Sequence, residues 1–130
     1  MRMHVLGWGA GLLIIGACGD AAAPAVASGC TPTSTTVCLN GVTFRPSMLD
    51  IAVGVTVTWE NPPGSTMTHT VTWLPTSAEI FNSGNPPSGI GPGGTFSHTF
   101  RTPGTYYYYC QYYGDSTPPA HGMVGIITVH

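Results

Sequence analysis

The stretch Thr95–Cys110, "TFSHTFRTPGTYYYYC", decides the fold class. Its two ends, Thr95–Phe100 and Thr105–Cys110, are built from β-branched and aromatic residues, and the Thr102–Gly104 "TPG" between them is turn chemistry. Successive side chains of a strand point to opposite faces, so Tyr106 to Tyr109 divide between the two sides of a sheet. Half of them pack inward and half cover an open face. The same pattern extends upstream. Val55–Asn61, "VTVTWEN", has period 2 and sets Val55, Val57 and Trp59 on one face. Val37–Phe44, Ser47–Val53 and His69–Trp73 read as further strands, and Met123–Val129, "MVGIITV", as the last. Leu74–Gly94 is a long Gly-, Pro-, Ser- and Asn-rich connection with an irregular strand around "EIFNSG". No helical period runs longer than a turn or two, and no internal repeat is present. Seven to eight short strands punctuated by turn signals predict an all-β, Greek-key sandwich or barrel.

The domain occupies residues 30–130. Before it, Arg2 precedes the 13-residue apolar run Val5–Ala17, which is shorter than the roughly 20 residues a membrane-spanning helix needs. That is the shape of a secretory signal. The end of the run, "IIGAC", resembles a bacterial lipoprotein signal. Residues 1–17 are then removed, and Cys18 is lipidated and anchors the chain to a membrane, each buried methylene adding about 0.8 kcal/mol. A plain signal cut after "AVA" (Ala25–Ala27) is the alternative. Residues 18–29, small and Ala-rich, read as a flexible tether. The expected location is therefore the periplasm or the cell surface.

Only 6% of the residues are charged, and Arg45 and Arg101 are the only basic residues after Arg2. No basic patch exists, which argues against nucleic acid as a partner. The cysteines sort by position. Cys30 and Cys38 flank "TPTSTTV" in an exported chain and read as a small structural disulfide; no second Cys/His pair with zinc spacing follows. Cys110 is left over. An unpaired thiol in an oxidising compartment is a liability unless something occupies it.

Loops of a Greek-key sandwich gather at its two ends. His69 follows a loop, Cys110 ends a strand, and His121 and Met123 precede the last strand. Two imidazoles and a thiolate with a weak axial thioether form the blue-copper electron-transfer arrangement. Soft sulfur suits Cu(I), and imidazole serves both oxidation states, so little rearrangement accompanies electron transfer.

The segments "VTWEN", "HTVTW", "GGTFSHTFRTPGTYYYYC" and "HGMVGIITV" resemble the plastocyanin-like branch of the cupredoxin family, over nearly all of residues 37–130. The resemblance implies an eight-stranded Greek-key sandwich holding one copper ion and passing electrons to a transient redox partner, a cytochrome or another copper protein. It matches His69 to the first histidine ligand, Cys110 to the thiolate and Met123 to the axial methionine. Asn61 resembles the family's Asn that bonds across to the loop carrying the cysteine; the other reading is a turn residue before Pro62. The second histidine departs from the pattern. Family members place it two to four residues after the cysteine, where this chain has Tyr113. His121 is the only histidine nearby, with ten residues between it and Cys110 and only Gly122 between it and Met123. Residues two apart in an extended chain share a side, so His121 and Met123 could face one ion. The other arrangements are His121 without Met123, a site that includes Tyr113, or no intact site.

His98 reads as structural or surface, and Met48 and Met67 as core and loop residues. Pro118 to Ala120 would give an apolar rim before His121. Electron carrier is the leading function. Its competitors are a copper module for storage or delivery, an open-site copper redox centre, and a metal-free adhesion domain. A Cys-His nucleophile pair is disfavoured, because no orienting carboxylate or oxyanion loop accompanies it.

Overall fold

The computed structural model describes residues 29–130. The signal at 1–17, the lipidation site Cys18 and nearly all of the tether lie outside the described residues. Eight strands follow: β1 (Thr36–Asn40), β2 (Thr43–Arg45), β3 (Met48–Ile51), β4 (Thr56–Glu60), β5 (Thr72–Trp73), β6 (Thr95–Thr99), β7 (Gly104–Asp115) and β8 (His121–Val129). Among the described residues there is no helix. The strands form two four-stranded sheets, ordered β2-β1-β4-β6 and β3-β8-β7-β5, packed as a sandwich. The pairs β1–β4 and β3–β8 are parallel and the others antiparallel.

The core follows from the alternation. Val57 and Trp59 of β4, and Tyr106, Tyr108 and Cys110 of β7, are fully buried or nearly so. Trp59 lies between the sheets, with the rings of Phe81, Phe96, Phe100 and Tyr108 within 6.4 Å of its own, centroid to centroid. Such aromatic pairs add about 0.5–1.5 kcal/mol each beyond their buried area. The "TPG" turn does more than reverse the chain: it carries it from β6 in one sheet to β7 in the other.

Three readings need correction. Val37–Phe44 is two strands, because Gly41 at φ 57° turns the chain between β1 and β2. Met48 is 67% exposed, because it lies with Asp50 on the outward face of β3, opposite the face that carries Leu49 and Ile51. The cysteine strand does not stop at Cys110. It runs on to Asp115, and its register with β8 jumps from Tyr109↔Val124 to Gly114↔Gly122. Cys110 to Tyr113 therefore form a wide bulge opposite Met123. Cys30 and Cys38 are joined in a disulfide that ties the chain entering β1 to β1 itself.

Candidate metal centre

His69 stands three residues before β5 and is held there by its backbone. Its N–H donates to the Ile90 carbonyl at 3.1 Å, and the Ile90 N–H donates back to the His69 carbonyl at 2.7 Å. Gly89 is required beside it: φ is 154°, and a Cβ there would collide with the His69 carbonyl oxygen. Asn61 fastens the same region. Its buried Nδ2 donates to the carbonyls of Met67 and Ile90, each at 2.8 Å. The bond implied by resemblance, from Asn61 to the loop carrying the cysteine, is thus replaced by bonds to the segments that flank and grip His69.

Cys110 approaches from β7. Its thiol is completely buried, and Sγ lies 3.9 Å from His69 Nδ1. The Thr70 N–H donates to Sγ at 3.3 Å, while Thr70 Oγ1 accepts from the Gln111 N–H at 2.8 Å. Two hydrogen bonds thereby stitch 69–70 to 110–111. Thr70 carries no motif that would mark it in the sequence; the signal is only its place after His69.

His69 is fully buried, and its Nε2 has no hydrogen-bond partner. Burial pushes its pKa below the usual histidine value by disfavouring the imidazolium. A neutral ring keeps a nitrogen lone pair for a ligand. The donor spacing fits an ion. Bonds of about 2.0 Å to nitrogen and 2.3 Å to sulfur, meeting at about 120°, separate the two donors by about 3.7 Å, against 3.9 Å here. Met123 is buried (1% exposed) in the same cluster as Cys110, on the strand facing the bulge.

His121 is placed elsewhere. Its side chain is 69% exposed, with Nε2 3.8 Å from Asp115 Oδ2 and Nδ1 3.2 Å from the Pro119 carbonyl. Among the described residues no three His, Cys, Asp or Glu side chains gather as a metal-binding group. The same-side argument for His121 and Met123 fails at Gly122, whose φ of 80° turns the chain between them. Pro118 to Ala120 lie with Leu74, Tyr107 and Val124 around an apolar groove on the outer face of β7 and β8. Tyr113, in contrast, comes to the pair: its ring lies 5.3 Å from the His69 ring, tilted by 58°. His98 is structural, hydrogen-bonded to Glu79 at 2.9 Å and stacked on Phe81.

These features define an all-β sandwich with a buried nitrogen–sulfur donor pair at one end. Comparison with known proteins names the family. Residues 31–130 match the model of copper binding proteins of the plastocyanin/azurin family. The chain is similar to a chloroplastic plastocyanin of Physcomitrium patens, 32% identical over 98 residues, covering 66% of this chain and 49% of that protein. A plastocyanin of Scenedesmus fuscus is 33% identical over 98 residues, covering 66% of this chain and 85% of that one. The chain spans about half the length of the moss and barley plastocyanins it matches, 49% and 54%. Among solved structures, the reduced state of an amicyanin variant aligns with a TM-score of 0.57 at 25% identity, covering 80% of this chain and 89% of that one. A Cu-containing nitrite reductase from Thermus scotoductus SA-01 aligns with a TM-score of 0.58 at 28% identity, over 78% of this chain but 23% of the reductase. The chain belongs to the copper-binding plastocyanin/azurin family.

Proposed function

We propose that this domain holds one copper ion at His69, Cys110 and Met123 and carries single electrons between exported redox proteins. The observation that carries the reading is the His69–Cys110 pair: fully buried, 3.9 Å apart, with a sulfur supported by the Thr70 amide. A bound copper ion supplies the one-electron Cu(I)/Cu(II) couple. The protein's part is to fix the donors. The Ile90 bridge and the Asn61 amide hold His69, the Thr70 amide orients the sulfur, and the sandwich core excludes water behind them. Electron carriage is favoured over catalysis because the plastocyanin and the amicyanin are matched over 85% and 89% of their own lengths, whereas the reductase is matched over 23% of its own. Lipidated Cys18 would keep the domain at a membrane surface, where a cytochrome or another copper protein docks transiently.

The test is copper binding by the exported protein, followed by electrochemistry. One equivalent of copper bound, with reversible one-electron cycling and loss of binding in Cys110→Ser, is expected. Cycling that releases the metal would instead favour storage or delivery. That second reading draws on one observation, the solvent-exposed His121, which leaves the pair with one imidazole.

A further inference from the structure

We infer that Tyr113 occupies the place beside His69 that a second imidazole would need, leaving a one-imidazole, two-sulfur site that retains Cu(I) in preference to Cu(II). The inference rests on the copper reading above and specifies its redox bias.

The geometry is local. Tyr113 belongs to the bulge Cys110–Tyr113, which faces Met123 across the β7–β8 ladder. Its ring is 5.3 Å from the His69 ring and packs against the buried cluster that contains Cys110 and Met123. The backbone locks it there. Gly122 passes so close that a Cβ on it would stand 2.6 Å from the Tyr113 carbonyl oxygen, and a Cβ on Gly114 would stand 2.7 Å from the Met123 carbonyl oxygen. The bulge therefore has little freedom to withdraw Tyr113 and admit another side chain. His121 lies beyond it, at the exposed end of the ladder opposite Asp115.

The donor chemistry follows. One imidazole, one thiolate and one thioether make a sulfur-rich set, and thiolate and thioether select Cu(I). Cu(II) gains most from further nitrogen or oxygen donors in tetragonal geometry. A phenol ring packed at a tilt against the imidazole fills space beside it. The redox equilibrium is displaced toward the reduced state, so the domain accepts an electron readily and gives it up reluctantly.

The test measures Cu(I) and Cu(II) affinity separately on the full exported protein, with the visible spectrum of the Cu(II) form. Wild type, Tyr113→Phe, Tyr113→His, His121→Ala and Cys110→Ser are compared, with circular dichroism reporting the fold. Wild type should bind Cu(I) far more tightly than Cu(II), with any thiolate-to-Cu(II) band unchanged in His121→Ala. Tyr113→Phe should match it. Tyr113→His should raise Cu(II) affinity relative to Cu(I), lowering the reduction potential by about 59 mV for each tenfold change. An intense band in wild type that vanishes in His121→Ala overturns the inference and leaves the copper carrier standing, with His121 as ligand. A wild-type chromophore lost in Tyr113→Phe also overturns it, by making the phenol a ligand. Failure of wild type to bind either oxidation state removes the copper reading itself, and the inference with it.

Discussion

Asn61 illustrates how a single amide can set a site it does not enter. It is fully buried, and both protons of its Nδ2 are used, on Met67 and on Ile90. Its backbone is also committed, accepting from the Gly93 N–H at 2.8 Å and donating to the Gly94 carbonyl at 2.9 Å. The Ile90 carbonyl receives two donors at once, Asn61 Nδ2 and the His69 N–H. Removing the amide strips a buried acceptor of one partner and loosens the bridge that holds His69. Neither carbonyl is left bare, since Ile90 keeps the His69 N–H and Met67 keeps the Ser65 hydroxyl, so the loss is that of two hydrogen bonds at about 0.5–1.5 kcal/mol each. Asn61→Ala should therefore destabilise the domain by about 1–3 kcal/mol in urea unfolding. Asn61→Asp keeps the volume but replaces the donor with a buried acceptor, so it should be at least as damaging. An Asp variant as stable as wild type would show that shape, not the two donated bonds, is what matters at this position.

The β7–β8 hairpin sets how much of the site could be read in advance. The strands themselves were legible from alternation, because Tyr106, Tyr108 and Cys110 share a face and two packed sheets bury that face. The meeting of His69 and Cys110 was legible from donor type and from the habit of loops to collect at the sandwich ends. The place of His121 was not. The residues after Cys110, "QYYGD", read as the start of a loop, yet they stay in β7 through a bulge, which period-2 patterning cannot show. Gly122 then breaks the parity that would have put His121 beside Met123. This glycine is also a testable element-level requirement. Its φ is 80°, and a Cβ would meet the Tyr113 carbonyl oxygen at 2.6 Å. Left-handed strain of this kind costs about 1–3 kcal/mol. Gly122→Ala should lower stability by at least that much and speed amide exchange at the bulge, while exchange in β1 and β4, which belong to the other sheet, stays near wild type in relative order. Uniform acceleration across both sheets would mean the hairpin end is not a separate unit.

Two fastenings hold the whole molecule together beyond the core, and each gives a measurable stability. The Cys30–Cys38 disulfide closes a short loop of sequence separation 8, for which chain entropy predicts about 2.5 kcal/mol; the double Cys→Ala variant should lose about that much in equilibrium unfolding under oxidising conditions. The second fastening is the carboxylate of Glu79, in the long connection between β5 and β6. Its Oε1 accepts from the backbone N–H groups of Arg101 and Thr102 at 2.8 and 2.6 Å, and Oε2 pairs with His98 Nε2 of β6 at 2.9 Å. It therefore clamps the connection to the turn where the chain passes from one sheet to the other. Burial opposes its ionisation, but the His98 bond and the two amides outweigh that, and its pKa lies below the usual carboxylate value. The sign of the linkage is fixed by that direction. A carboxylate with a depressed native pKa stabilises the fold above its unfolded value, near 4.5, and the contribution disappears as pH falls through the native value. Hydrogen bonds to a charged acceptor are worth about 1.5–3 kcal/mol, so Glu79→Gln should cost about 2 kcal/mol at about pH 7. The gap between wild type and Glu79→Gln should hold from about pH 7 down to the unfolded value near 4.5 and close as pH falls on through the lower native value. A gap that persists unchanged at the lowest pH would assign the loss to geometry and not to the charge on Glu79.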